Sequence, residues 1–213
     1  LTKKKETANT IFIMAGGYGK RLMPLTKSTP KPMLQISGKP ILETIIDQFI
    51  DAGFSDFIIS THYKARVIED YFKDGSSFGI KIRYVREKEP LGTAGSLGKV
   101  KKEKINYPLI VINGDVVTKV NFIELLNSHK KSKSLFTTGV FKHTFQIPYG
   151  VIKLKDGNII ALEEKPNQSN FINAGIYVLE KEILKYIQNE KKMNMTDVIK
   201  SVIKSKKKIN SFL

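Results

Sequence analysis

Short apolar runs alternate with segments of helical periodicity along the first 130 residues, and this alternation constrains the fold more than any other feature. The first run, TIFIMA, is apolar enough to form a buried strand, and it leads directly into glycines. Strands that alternate with helices predict a mostly parallel sheet with helices on both faces. The predicted strands are Thr10–Ala15, Asp56–Thr61, Ile80–Val85 and Tyr107–Ile112, and the predicted helices are Pro40–Ala52, Lys64–Phe72 and Phe122–Lys130.

The pattern changes after residue 133, where strand-like segments follow one another. Asp156-Gly157-Asn158 is a hairpin turn signal between two of them. We interpret residues 1–213 as one α/β domain. The non-methionine start at Leu1 and the end at Leu213 within an apolar-alternating stretch lead us to expect a piece of a longer protein, truncated at both ends. The predicted strands are Leu135–Phe141, Gly150–Leu154, Ile159–Glu163 and Phe171–Leu179, and the predicted late helices are Lys181–Ile187 and Thr196–Lys204.

The composition narrows the class of protein. Hydrophobic residues make up 41% of the 213 residues, which is enough for a core. The absence of cysteine excludes disulfides and thiolate chemistry, and no apolar run approaches the roughly 20 residues of a membrane span. We expect a cytoplasmic protein without a membrane partner.

The net charge of +16 raises the possibility of nucleic-acid binding, yet only four of the 36 basic residues are arginine. Base-specific readers rely on the planar fork of arginine, so we expect no nucleic-acid partner. A solvated lysine-rich surface is the favoured interpretation, and attraction to a polyanion is the alternative.

A glycine-rich segment follows the first predicted strand. Glycines allow backbone N–H groups to approach phosphate oxygens, and Lys20, Arg21 and Lys31 are close by in sequence. The segment is neither a Walker P-loop nor a complete GxGxxG dinucleotide motif. Taken alone, these glycines are equally compatible with a tight turn beside surface lysines.

The segment Gly16–Leu34 resembles the signature of sugar-1-phosphate nucleotidyltransferases, GGxGxRLxPLT followed by PKPML. The resemblance implies a Rossmann-like three-layer fold with a mostly parallel mixed central sheet. It also implies that the backbone at Ala15, Gly16 and Gly17 contacts the nucleotide. Arg21 would hold the triphosphate, and Lys31 would reach the reacting phosphate.

A second motif, EPLGTAG, begins two residues after Glu87 and resembles the guanylyltransferase branch of the family. The resemblance implies that Gly92 and Thr93 line the nucleobase; Thr93 could equally cap a helix. Pyrimidine-specific members carry Gln five residues before the pocket glycine, where this chain has Glu87. A carboxylate only accepts hydrogen bonds and so suits the adjacent N1–H and N2–H of guanine. The alternative is an exposed Glu87 that does not touch the base.

Asp115 ends a predicted buried strand in the sequence Asn-Gly-Asp. A carboxylate at the carboxyl end of a strand points into the cleft of such a sheet, and Mg²⁺ takes one or two carboxylates together with phosphate oxygens. Asp115 is therefore the predicted magnesium ligand, although Asp after Gly is also common in turns. The family's second metal carboxylate follows a tryptophan further downstream, and this chain has no tryptophan.

Three further segments resemble the sugar-phosphate side of the family: PYG, EKP and NAGIY. The resemblance implies that Gly150 lets the sugar approach the backbone and that Glu164 binds sugar hydroxyls. Lys165 would hold the sugar phosphate, while Asn173 and Gly175 would face the sugar. Hairpin ends with a solvated charge pair are the simpler interpretation of the same residues.

The predicted reaction transfers GMP from GTP to a hexose- or heptose-1-phosphate and releases pyrophosphate. A non-catalytic nucleotide-sugar-binding regulatory subunit is the alternative. The resemblance is compatible with a homo-oligomer and with an N-terminal CBS-like domain, as in guanylyltransferases of the legionaminic-acid route. The three histidines are predicted to have surface or packing roles, with His62 near the nucleotide as the less favoured option.

Overall fold

The computed structural model describes residues 7–189 and 191–213, apart from the side chain of Lys102. Residues 1–6 and 190, which the single-domain prediction includes, lie outside the described residues. The helices are α1 (Ile41–Asp51), α2 (Ala65–Phe72), α3 (Gly92–Gly95), α4 (Phe122–Ser132) and α5 (Met195–Lys204). The strands are β1 (Thr7–Met14), β2 (Gln35–Ile36), β3 (Lys39–Pro40), β4 (Phe54–Thr61), β5 (Lys81–Arg86), β6 (Leu109–Asn113), β7 (Phe136–Gln146), β8 (Val151–Lys155), β9 (Asn158–Glu163), β10 (Asn167–Leu179) and β11 (Ile209–Phe212).

Seven strands form the central sheet in the order β11-β7-β10-β6-β1-β4-β5. The four strands β6, β1, β4 and β5 are parallel, while β10 runs antiparallel to both of its neighbours. The sheet is therefore mixed and mostly parallel in its first half, which confirms the predicted α/β class. The glycine-rich segment and the predicted base motif both follow strands of the parallel part.

Each face of the sheet is covered by its own hydrophobic layer. On one face, the apolar stripe of α1 meets α4, with Phe49 stacked on Phe122 at 3.9 Å between ring centroids. On the other face, Val198 and Val202 of α5 pack beside Leu97 and Val111. Helices on two faces of one sheet give the predicted three-layer arrangement.

The second half departs from the sequence prediction in two places. The predicted helix Lys181–Ile187 is instead a 3₁₀ helix at Lys181–Tyr186, with Ile183 and Leu184 buried. Strand β11 is absent from the sequence prediction, and it pairs in parallel with β7 at the edge of the sheet. Its short length and half-buried pattern give no period-2 signal strong enough to define a strand.

The hairpin β8–β9 projects beside the distal halves of β7 and β10, and its tight turn confirms the predicted turn signal. Asp156 and Gly157 both have positive φ, 49° and 82°, as a two-residue hairpin of the I′ class requires. Nearly all residues of β8 and β9 are exposed, including Leu154 and Leu162 at 66%. We call residues 147–166 the hairpin arm. Among the described residues, no helix is long and apolar enough to cross a membrane.

Candidate active site

A cleft of about 420 Å³ opens where the parallel strands β1, β4, β5 and β6 end. Its position follows from the topology, because the carboxyl ends of parallel strands meet at one edge of the sheet. The lining brings together the glycine-rich segment, the base motif and the predicted metal ligand: Met14, Ala15, Gly16, Gly17, Gly19, Lys20, Arg21, Leu22, Lys31, Pro32, Ser60, Glu87, Pro90, Gly92, Thr93, Asn113, Gly114 and Asp115.

The glycine-rich segment is fixed to the strands on both sides of β1. The N–H of Ala15 donates to the Ser60 carbonyl at 3.0 Å, and the N–H of Gly114 donates to the Met14 carbonyl at 2.9 Å. Glycine at position 16 leaves room for the Glu87 carboxylate, because a Cβ there would lie 2.8 Å from Oε1 of Glu87 and the carboxylate would have to move. A Cβ on Gly17 would meet no described atom within 4 Å, so packing alone does not require glycine there.

Three cations, Lys20, Arg21 and Lys31, line the cleft beside the carboxylate of Asp115. Arg21 lies in a short 3₁₀ turn, Lys20–Leu22, and Lys31 begins another, Lys31–Met33. The Nζ of Lys31 forms an ion pair with Asp115, and both side chains are 35% exposed. This part of the cleft is therefore positive and opens to solvent, which suits a polyphosphate ligand.

Glu87 is buried rather than exposed, with only 8% of its surface accessible. Its Oε2 accepts a hydrogen bond from the Leu91 N–H at 2.9 Å, and its own N–H donates to the Thr61 carbonyl. Burial raises the pKa of the Glu87 carboxyl, and the Leu91 N–H opposes that rise. The interpretation of Glu87 as an exposed side chain is wrong.

The base motif is attached to a late segment of the chain. The N–H groups of Ala94 and Gly95 donate to the Met193 carbonyl, and the Met193 N–H donates to the Leu91 carbonyl. A Cβ on Gly92 would lie 2.6 Å from the Met193 carbonyl oxygen, and Gly92 has a φ of +73°. Residues 191–195 therefore form the outer support of the base motif.

Thr93 does not cap its own helix, contrary to that interpretation of the sequence. It lies inside α3, and its Oγ1 accepts a hydrogen bond from the N–H of Met195 at 2.9 Å. Thr93 thereby satisfies one of the free N–H groups in the first turn of α5. The same residue contributes to the lining of the cleft.

A chain of hydrogen bonds joins the glycine-rich segment to the base motif through His62. The Nδ1 of His62 lies 2.9 Å from the Glu87 carbonyl oxygen, and Nε2 lies 3.0 Å from the Tyr18 hydroxyl. Because a carbonyl oxygen only accepts, Nδ1 carries the hydrogen, and in the neutral ring Nε2 accepts from Tyr18. His62 therefore lies between the two motifs and connects them.

The structure also brings three polar residues into the cleft that sequence reasoning left out. Lys20 lines the cleft although it occupies a variable position of the motif. Ser60 lies at the end of β4 outside any motif, whereas Asn113 ends β6 as the first residue of the Asn-Gly-Asp sequence, where it was given no role. A polar residue at the end of a buried strand is the only signal that could have indicated Ser60 and Asn113.

The predicted sugar-phosphate residues are divided between two places. Gly175 lies against the end of β6, where a Cβ would come within 2.5 Å of the Asn113 side-chain amide, and the side-chain Oδ1 of Asn173 accepts from the Gly175 N–H at 3.1 Å. Gly150, Glu164 and Lys165 lie together on the hairpin arm, outside the cleft lining given above. A Cβ on Gly150 would lie 3.0 Å from the Glu164 carboxylate.

The described residues contain no group of three or more acidic, histidine or cysteine side chains that could hold a metal by themselves. Asp115 nevertheless fits a magnesium ion in its chemistry, because Mg²⁺ usually takes one or two carboxylates and completes its shell with phosphate oxygens and water. Such a site depends on the nucleotide for most of its ligands.

A family model described as nucleotidyl transferase matches residues 11–213. The chain belongs to the nucleotidyl transferase family. Its members generally use divalent metals, which agrees with a partly exposed carboxylate beside the cations of the cleft.

Curated relatives of this nucleotidyl transferase include several mannose-1-phosphate guanylyltransferases. The proteins from Mycobacterium tuberculosis, Drosophila melanogaster and Saccharomyces cerevisiae are 33%, 37% and 35% identical over 86%, 83% and 83% of this chain. The chain covers 52%, 50% and 51% of them, so it spans about half the length of these relatives.

Solved structures show the same fold. HddC from Yersinia pseudotuberculosis has a TM-score of 0.73 at 28% identity, with 96% of this chain and 89% of that chain covered. The same protein complexed with GMP-PN has a TM-score of 0.73 at 27% identity over the same shares. A putative glucose-1-phosphate thymidylyltransferase from Bacillus anthracis shares the fold at 23% identity and a TM-score of 0.74, with 96% and 87% covered.

Proposed function

We propose that this nucleotidyl transferase chain carries the catalytic site of a sugar-1-phosphate guanylyltransferase, which transfers GMP from GTP to a sugar-1-phosphate and releases pyrophosphate. The observation that carries the proposal is the buried Glu87 carboxylate in the cleft that also holds Arg21, Lys31 and Asp115. The guanylyltransferases among its relatives support the choice of nucleotide.

Glu87 favours guanine for a chemical reason. An ionised carboxylate offers only acceptors, and guanine offers the two adjacent donors N1–H and N2–H. Uracil and thymine would turn a carbonyl oxygen toward the same carboxylate and be repelled. Because Glu87 is buried, a base that failed to pair with it would leave its charge desolvated and stabilised mainly by the Leu91 N–H. The site would therefore select guanine in two ways. Guanine forms hydrogen bonds with Glu87, and any other base would leave the buried carboxylate at a cost in binding free energy.

The reaction needs positioning more than acid–base chemistry. An oxygen of the sugar phosphate, already anionic at pH 7, attacks the α-phosphorus in line, and the bond from that phosphorus to the bridging oxygen breaks. Lys31 neutralises charge on the α-phosphate, and Arg21 stabilises the departing pyrophosphate. Mg²⁺ held by Asp115 and the phosphate oxygens would lower the repulsion between the two anions.

The ion pair between Lys31 and Asp115 indicates how the site changes on loading. With triphosphate bound, the Lys31 ammonium would leave the carboxylate for a phosphate oxygen, and Asp115 would become free to bind metal. Both groups are partly exposed, so the pair contributes little stability and costs little to open.

The sugar phosphate would bind between the cleft and the hairpin arm. Lys165 supplies the charge for its phosphate, Glu164 accepts hydrogen bonds from its hydroxyls, and Gly150 and Gly175 let the ring approach the backbone. Asn173 would hold the Gly175 turn, since its side-chain Oδ1 already accepts from the Gly175 N–H.

Mannose-1-phosphate is the first candidate for the sugar phosphate because the curated relatives carry that name, with heptose- and glucosamine-1-phosphate next. The whole protein would act in the cytoplasm. A homo-oligomer or a CBS-like regulatory domain would belong to that whole protein.

Calorimetric titration of GTP, dTTP, UTP and CTP with Mg²⁺, followed by a pyrophosphate-release assay with each sugar phosphate, tests the proposal. We expect tight binding and turnover with GTP and with one sugar phosphate. A preference for a pyrimidine nucleotide would contradict the guanylyl assignment, and failure to bind any nucleotide would overturn the whole proposal.

GTP binding without turnover would favour a regulatory subunit with the same fold. The observation behind this second candidate is that the described residues contain no group of three or more acidic, histidine or cysteine side chains that could hold a metal. The same assay on a chain of the relatives' full length distinguishes the two, because added residues could restore catalysis only to an enzyme.

A further inference from the structure

Ser60 lies on β4, between β1, which leads into the glycine-rich segment, and β5, which leads into the base motif. It lies near the end of β4, opposite Met14 of β1 on one side and Val85 of β5 on the other. Its carbonyl oxygen accepts from the N–H of Ala15 at 3.0 Å. The backbone of Ser60 is therefore fixed, and its side chain has one defined direction.

That direction is toward the base motif. Side chains alternate across a strand, so Ser60 lies on the same face of the sheet as Ile58, which belongs to the hydrophobic layer containing Val85 and Ala94. Glu87 follows Val85 by two positions and lies on the same side. Both Ser60 and Glu87 line the cleft.

The hydroxyl of Ser60 is buried and makes no hydrogen bond of full geometry to a described residue, although its interaction with the Glu87 carboxylate lowers that carboxyl's pKa. The residue is 1% exposed, and no described atom meets hydrogen-bond geometry with its Oγ. The hydroxyl lies close enough to Glu87 to oppose the rise of that carboxyl's pKa, without forming a bond of normal geometry to it. A buried hydroxyl that lacks a full hydrogen bond is unfavourable. In a binding cleft, such a hydroxyl can form that bond with a ligand.

Guanine has an acceptor atom that suits the Ser60 hydroxyl. The Watson–Crick edge of guanine carries the O6 acceptor next to N1–H and N2–H. The Glu87 carboxylate can pair with the two donors and cannot pair with O6, whereas a serine hydroxyl can donate to O6. We infer that Ser60 is a second residue that determines base specificity, donating its hydroxyl hydrogen to O6 while Glu87 accepts from N1–H and N2–H. The inference rests on the proposed guanylyl transfer.

The test compares GTP with 6-thio-GTP, in which sulfur replaces O6 and accepts hydrogen bonds weakly. Variant Ser60→Ala removes the hydroxyl at nearly constant volume. Variant Ser96→Ala is the matched control, because Ser96 is also a fully buried serine without a described partner, and it does not line the cleft. Binding constants for both nucleotides are measured by calorimetry, and melting temperatures show that each variant folds.

For Ser60→Ala we expect the affinity for GTP to fall roughly tenfold and the affinity for 6-thio-GTP to change less than about twofold. Ser96→Ala should leave the ratio of the two affinities at its wild-type value. Equal losses with both nucleotides would overturn the inference, because Ser60 would then act only by orienting Glu87 or by packing. No loss with GTP would also overturn it. A wild-type chain that does not bind GTP at all would instead refute the proposed function.

Discussion

The nucleotide cleft and the hairpin arm contrast in how they are built. The cleft lies on buried parallel strands, and its residues are held by neighbours on several elements, as Glu87 is by Leu91 and Thr61. The arm is a two-stranded hairpin whose side chains are nearly all exposed, apolar ones included. A two-stranded hairpin has little stability of its own. We conclude that the proposed base site is already formed before the nucleotide binds. The predicted sugar-phosphate residues of the arm, in contrast, lie on an element that needs a partner surface to become rigid.

The largest expected effect is loss of turnover when the cleft loses its proposed metal carboxylate. Asp115→Asn should lower kcat roughly 100- to 1,000-fold in the pyrophosphate-release assay, because Asn cannot neutralise the metal. Asp47→Asn is the matched control, since Asp47 also pairs with a lysine, Lys39, outside the cleft. If Asp115→Asn kept more than about a tenth of wild-type turnover, Asp115 would not be the metal ligand.

Substitutions on the hairpin arm should change KM for the sugar phosphate and should not change the affinity for GTP. Lys165→Ala is expected to raise KM for the sugar phosphate roughly 30-fold, because a charge-assisted contact to the phosphate is lost, and to change the Kd for GTP less than about twofold. Lys153→Ala, an exposed lysine on the same arm, should change neither quantity. Parallel losses for both substrates would mean that the two regions do not act separately.

Alanine substitutions at two glycines distinguish the effect of lost packing in the base motif from the effect of backbone strain. Gly92 and Gly38 both have positive φ, +73° and +79°, but only a Cβ on Gly92 would contact a described atom within 4 Å. Alanine at either position should cost about 1–2 kcal/mol in urea unfolding through backbone strain. Gly92→Ala should cost about 2 kcal/mol more and weaken GTP binding roughly tenfold, since it pushes against the Met193 carbonyl. Equal costs at both sites would show that residues 191–195 do not support the base motif.

The smallest expected effect concerns His129, which lies away from both regions between Thr137 and Glu180. Burial is the main cause that lowers the pKa of His129. The folded state thus holds fewer protons than the unfolded one, so we expect stability in urea unfolding to be full above about pH 6.5 and to fall as the pH drops below that value. His129→Gln should remove that part of the pH dependence, and an unchanged slope would exclude His129 as its source.

The contrast between cleft and arm also explains what the sequence could predict. The strands around the cleft are predictable because the buried apolar runs of β1, β4 and β6 are continuous, and the motifs that follow β1 and β6 carry Arg21, Lys31 and Asp115. The arm is predictable as a hairpin from Asp156-Gly157. Periodicity could not reveal β11, which is defined by its pairing with β7, a strand far away in the chain.

Some cleft residues could be found only in three dimensions. The places of Ser60 and Asn113 depend on where their strands end relative to Glu87 and Gly175, which no local pattern records. The hydrogen bond from Met195 to Thr93 joins residues 102 positions apart, and therefore the sequence suggested a local cap instead. Local chemistry was predictable here, and contacts between distant segments were not.

The variant Glu87→Gln tests the central claim most directly, because it changes the hydrogen-bonding character of the base site while Gln can still accept from the Leu91 N–H. The raised pKa of the Glu87 carboxyl means that the buried charge costs stability above that pKa, so the variant should be at least as stable as wild type at about pH 8. The measurement is kcat/KM for GTP, UTP and dTTP in the pyrophosphate-release assay. We expect the variant to lose GTP activity roughly 100-fold and no longer to prefer GTP over the pyrimidine nucleotides. A stable variant that kept the wild-type preference for GTP would contradict the central claim.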